Sequence, residues 1–249
     1  MTRKTILSWN HSHLAQTHTS PQSTLISSGC SFTDCSHNTE GPINWVGYLN
    51  ERVKFNQTIN LGLVGAGNEY ISTSIVNQIE SMSLEEINNC IVIIVWSGIA
   101  RKENLITQNS SGNIDDIVFK RIDFEFQMYG KGEALRSWKN IIMMQHYLKN
   151  KNIPFGFSFF VNTFDPPFLP SREIYTSNWI DTITLDKLSR LKQCNWIHNH
   201  NNSLFDYCFK NDLLSDDLFH PDHNGYLSWT DNILLPGLTN MGIITPVGQ

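Results

Sequence analysis

Seven successive residues, Cys90 to Trp96 in "NCIVIIVW", form a near-continuous β-branched run with no charged, amide or hydroxyl side chain among them. A strand with one face in water alternates apolar and polar residues, so a run without alternation needs cover on both faces. The reading is a central strand of a parallel sheet packed between helices.

The segments around it alternate in the way such a sheet requires. "TLISSG" is a first strand. Pro42 stands where a first helical turn tolerates it, and Ile43, Val46, Leu49 and Val53 follow at helical spacing. "FNQTINLG" is a short second strand, and "NEYISTSIVNQIESM" places Ile71, Ile75, Ile79 and Met82 on one helical face. After the central run, "EALRSWKNIIMMQHYLKN" carries Leu135, Trp138, Ile142 and Leu148 as an apolar stripe, and "IPFGFSFFVN" is the next strand. "SLFDYCFKND" and "GYLSWTDNILLPGL" read as closing helices. This alternation predicts an α/β fold with a doubly wound, mostly parallel sheet flanked by helices.

Residues 1–22 are polar and rich in Ser, Thr and His, and read as an arm outside the core. Residues 23–249 then form a single domain. A polar, Gly-broken stretch at about 102–130 reads as an insertion over one end of the sheet, and the proline-rich stretch around 163–175 as an irregular loop. The net charge of -5 opposes broad attraction to nucleic acid or anionic lipid. No signal-like apolar run begins the sequence, and no stretch approaches the ~20 apolar residues of a membrane helix, so a cytoplasmic location is the expectation. The five cysteines (Cys30, Cys35, Cys90, Cys194, Cys208) are scattered without a C-x-x-C pair, which reads as reduced thiols, mostly buried.

In open α/β sheets, reactive groups gather where strands end at their carboxyl side. Four short segments sit at such positions. Ser31 in "GCSFT" follows the first strand; "NLGLVGAGN" follows the second; "WSGIAR" follows the central run; "DDLFH" lies near the C-terminus. Asp217 precedes His220 by three residues, a spacing at which one turn presents a carboxylate to one imidazole nitrogen and leaves the other for a nucleophile. A serine hydroxyl needs such a base to attack at neutral pH.

These four blocks in this order resemble the SGNH (GDSL-like) hydrolase superfamily over roughly residues 24–227. The resemblance implies a flavodoxin-like three-layer sandwich and a carboxylic ester hydrolase without a cofactor. Its substrate would be a small-molecule or carbohydrate ester with a small acyl group such as acetyl. It also implies Ser31 as nucleophile, His220 as base, Asp217 as its orienting acid, and the Ser31 and Gly65 N–H groups as oxyanion donors. Cys30 stands where the family usually has Asp. The family's Gly-x-Asn-Asp block is degenerate here, since "VWSGIAR" has no asparagine. Ser97 donating its hydroxyl, Asn68 reaching in from the neighbouring loop, or two backbone donors alone are the alternatives. Asn68, Trp96 and Arg101 are the candidates for contacting substrate.

Two rival readings accompany this one. An SGNH scaffold that has lost the oxyanion asparagine could serve as a non-catalytic binding protein. The histidine pairs His11/His13, His198/His200 and His220/His223 invite a metal, but spacing alone is weak evidence, and the expectation is no metal site. Phe32, Trp45, Trp96, Phe164 and Phe168 are aromatic candidates for a pocket wall, most of them expected to be core.

Overall fold

The computed structural model describes residues 23–34, 44–98, 103–107, 117–121, 130–161, 190, 193–198 and 202–245. Strands β1 (Thr24–Gly29), β2 (Gln57–Asn60), β3 (Cys90–Trp96) and β6 (Phe155–Phe159) form one sheet in the order β2-β1-β3-β6. Every pairing in it is parallel, with Ser27 opposite Asn60 on one side and Ile93 on the other, and Gly29 opposite Val95.

Strand β3 is buried at every position, as its sequence requires. Each large aliphatic side chain removed from water there contributes about 1.5–3 kcal/mol, which makes this strand the anchor of the core. The chain moves from β1 to β2 through α1 (Trp45–Val53), then back past β1 to β3 through α2 (Asn68–Glu80) and α3 (Leu84–Asn88). Crossovers of one hand in opposite directions put α1 on one face of the sheet and α2 on the other. Helix α4 (Gly130–Asn150) leads onward from β3 to β6 and so joins α2, where the Tyr147 hydroxyl donates to Glu80 at 2.6 Å.

The face that α1 covers is completed by α5 (Leu204–Lys210), α6 (His223–Trp229), a π-helical turn (Thr230–Leu234) and α7 (Leu235–Asn240). Trp45 of α1 meets Trp229 of α6 edge-on at 6.4 Å, and both are fully buried. Within α2, Ile71, Ile75 and Ile79 recur every fourth residue and are fully buried, the stripe read from the sequence. No helix among the described residues is long and apolar enough to cross a membrane.

The α/β architecture expected from the sequence is therefore present, with two differences in detail. The first helix is described from Trp45, capped by the Asn44 side chain, while Pro42 and Ile43 lie outside the described residues. The insertion, whose sequence shows no periodicity, contains an antiparallel ribbon of β4 (Glu103–Thr107) and β5 (Ile117–Arg121). The arm at 1–22 and the loop at 163–175 also lie outside the described residues.

Candidate active site

Strand β1 ends at Gly29, and the chain then makes one helical turn in which the Thr33 and Asp34 N–H groups both donate to the Cys30 carbonyl, at 2.8 and 3.0 Å. Ser31 is the first residue inside that turn. A first-turn N–H has no intrahelical acceptor, and among the described residues the Ser31 N–H has no hydrogen-bond partner. The turn is tight enough that Gly29 admits no side chain, because a Cβ there would lie 2.1 Å from Thr33 Oγ1. Cys30 is fully buried.

Thr33 ties the turn to its neighbours. Its carbonyl accepts from Asn44 Nδ2 and Asn60 Nδ2, each at 2.7 Å, and its hydroxyl accepts from Trp45 Nε1 at 3.2 Å. Asn44 at the same time caps α1 by accepting from the Val46 and Gly47 N–H groups. One amide thus fixes the helix start and the serine turn together.

The loop after β2 is fastened to the same turn. Leu63 N–H donates to the Gly29 carbonyl at 3.1 Å, and Val64 N–H to Asp34 Oδ2 at 2.9 Å. Gly65 follows with φ of 79°, a left-handed conformation that disfavours any side chain. Its N–H, like that of Ser31, has no hydrogen-bond partner among the described residues.

The base comes from the loop before α6. Asp217 Oδ1 accepts from Ser215 Oγ at 2.7 Å, Phe219 N–H at 2.9 Å and His220 N–H at 2.8 Å, while Oδ2 accepts from His220 Nδ1 at 2.5 Å. Burial pushes the Asp217 carboxyl upward, but the hydrogen bonds from His220, Ser215 and the two main-chain N–H groups outweigh it and hold the group well below the usual carboxylate range. With Nδ1–H engaged by Asp217, Nε2 is left as an acceptor, and Ser31 Oγ lies 2.9 Å from it. Phe32 and Phe219 pack against the imidazole, with ring centres 4.9 and 5.2 Å away, and Phe160 packs on Phe32 at 4.7 Å. Leu218, between the acid and the base, is 77% exposed in a left-handed conformation with φ of 54°.

The structure brings together Ser31, His220, Asp217 and, through the loop contacts, Gly65. It locates the remaining candidates as follows. Ser97 leaves the sheet directly after β3. β3 is the neighbour of β1, with Gly29 opposite Val95, so both serines follow the carboxyl ends of adjacent strands. The Ser97 hydroxyl is fully buried with no hydrogen-bond partner among the described residues, a state that costs on the order of 1–3 kcal/mol. Asn68 does not point its amide at a ligand: Oδ1 accepts from Ser97 N–H at 2.8 Å and Nδ2 donates to the Ser97 carbonyl at 3.1 Å. Trp96 is fully buried and packs edge-on against Phe157 at 5.4 Å, so it belongs to the core and not to a substrate surface. Arg101, Phe164 and Phe168 lie outside the described residues.

The other motifs resolve in the same way. His198 meets Ser158 Oγ at 2.6 Å, and His223 is hydrogen-bonded to the Tyr48 hydroxyl. His11, His13 and His200 lie outside the described residues. Sequence reasoning missed the roles of Asn44, Thr33 and Asn60 in fixing the serine turn. The asparagines bond to main-chain carbonyls, which leave no mark in residue identity.

No protein-family model matches the chain, and no curated protein matches it in sequence. Among solved structures it is similar to protein YXIM from Bacillus subtilis, with a TM-score of 0.51 and 15% identity over 89% of this chain and 57% of that one. It thus spans a little over half the length of that protein. A lipolytic G-D-S-L family protein from Veillonella parvula has a TM-score of 0.48 and 13% identity, over 87% of this chain and 96% of that one. A GDSL-like lipase from Bacteroides thetaiotaomicron has a TM-score of 0.46 and 12% identity, over 87% of this chain and 88% of that one. The likeness is one of fold, and in this chain that fold is an open parallel sheet between two layers of helices.

Proposed function

We propose that the chain is a serine hydrolase that cleaves carboxylic esters, with a Ser31–His220–Asp217 triad. The observation that carries this reading is the 2.9 Å contact between Ser31 Oγ and His220 Nε2, with Asp217 on the other ring nitrogen. His220 takes the hydroxyl proton as Ser31 Oγ bonds to the ester carbonyl carbon, and the carbonyl oxygen becomes an anion. The Ser31 and Gly65 N–H groups and the Ser97 hydroxyl are the donors available to that oxygen, and Asp217 stabilises the imidazolium. His220 then returns its proton to the departing alkoxide, leaving an acyl group on Ser31. Water, deprotonated by His220, releases the acid and restores the serine.

The substrate class we assign is a small-molecule or carbohydrate ester with a small acyl group such as acetyl, met in the cytoplasm. A fluorophosphonate probe tests the reaction class, because covalent labelling requires an activated serine. Labelling of the native protein and none of Ser31→Ala is the expected result. The absence of an asparagine from "VWSGIAR" favours one rival, a non-catalytic binding protein on the same scaffold, and an unlabelled native protein would favour that rival instead.

A further inference from the structure

Asn68 is the first residue of α2, 2% exposed, and its amide closes a two-point clamp on the main chain of Ser97, 29 positions further on. A buried amide with one donor and one acceptor engaged by the same residue fixes that residue in translation and in rotation. What it fixes is the one fully buried side-chain hydroxyl without a partner among the described residues, just past the end of β3, the strand beside the one that leads into Ser31. Buried hydroxyl donors left unpaired are unusual and need a physical reason, of which an acceptor that arrives with the substrate is one.

We propose that Asn68 is a positioning residue, which holds the Ser97 main chain so that the Ser97 hydroxyl is preset to donate to the substrate's carbonyl oxygen as that oxygen gains charge. The inference rests on the ester-hydrolase reading and deepens it: an amide that does not touch the substrate orients a hydroxyl that does. A donor aimed in advance stabilises the transition state without reorganising, so its loss acts on turnover. Asn68 thereby has no direct part in substrate affinity, in contrast to the contact role expected from its sequence position.

The test is a double-mutant cycle on kcat and KM for p-nitrophenyl acetate, using Asn68→Ala, Ser97→Ala and the pair, with thermal unfolding of each. Ser97→Ala is expected to lower kcat by about 10²-fold, the ordinary effect of removing one oxyanion donor, with KM within about twofold. Asn68→Ala is expected to lower kcat by about tenfold or more in the native background, and to have no further effect in the Ser97→Ala background. Should Asn68→Ala fail to fold, Asn68→Asp, which keeps the acceptor for Ser97 N–H and loses the donor to its carbonyl, enters the same cycle with the same expectation. An equal loss of kcat in both backgrounds, an unchanged kcat, or a rise confined to KM would each overturn the positioning role while leaving the hydrolase intact. A native protein that neither turns over the ester nor labels with fluorophosphonate overturns the hydrolase reading, and this inference with it.

Discussion

Ser31 and His220 stand 189 positions apart in the chain and meet with Oγ 2.9 Å from Nε2. Neither is placed by the other. Ser31 is held by the turn that closes on Cys30, and His220 by the Asp217 loop. Removing either side chain therefore leaves the main chain that holds the other in place, which makes the site open to test by substitution.

Ser31→Ala is expected to lower kcat for a short-chain aryl ester by about 10⁴- to 10⁶-fold, the range for removing a serine nucleophile. The midpoint of thermal unfolding should stay within a few degrees, since the hydroxyl's described hydrogen bond is to a side chain that is itself 35% exposed. Parallel ester assays and melts separate loss of chemistry from loss of fold.

Asp217→Asn should reduce kcat by about 10⁴-fold, because an amide can present its N–H to Nδ1 and favour the tautomer that blocks Nε2. The native carboxyl sits below its unfolded value, so its contribution to stability is full above about pH 4 and is lost as pH falls through the folded value. Urea melts of the native protein and Asp217→Asn should therefore differ by a constant amount from pH 7 to pH 5 and converge below pH 4. A gap that widens on acidification would contradict the assignment.

Thr33→Val keeps the shape of the side chain and removes the acceptor for Trp45 Nε1, which is then buried without a partner. The expected cost is about 1–3 kcal/mol in urea unfolding, accompanied by a fall in kcat as the serine turn loosens. Activity unchanged alongside the full stability loss would show that the turn does not depend on this bond.

Gly65→Ala places a Cβ on a backbone with φ of 79°. A destabilisation of about 1–2 kcal/mol is expected from that conformation alone. If the Gly65 N–H serves the oxyanion, kcat should fall more steeply than stability, read by comparing ester turnover with the unfolding midpoint.

The parts of this structure legible in the sequence are those where one residue type has one physical use. The unalternating run at β3 had to be covered on both faces, and it is. The Asp217–His220 spacing left a short loop in which the carboxylate could reach the ring, and it does. Trp96 was misread for the same reason that β3 was read well: the run is buried to its last residue, so an aromatic at the strand's end is core. Asn68 was misread because its partners are the amide and carbonyl of Ser97, groups every residue has. The short α3 was overlooked, although Ser83 and Glu86 form a reciprocal capping box visible as Ser-x-x-Glu. The ribbon in the insertion escaped because its polar, Gly-broken sequence carries no periodicity.

The Asp217 loop has one consequence for how such a site can change. The hydrogen bonds that hold Asp217 and join it to the imidazole, from the Ser215 hydroxyl to the His220 main chain, all lie within six consecutive residues. The acid–base pair is thus a small self-sufficient cassette, indifferent to most of the scaffold. Substitutions in the sheet or the outer helices reach its chemistry only by shifting the seat against which it rests, the face of Phe32 beside the nucleophile.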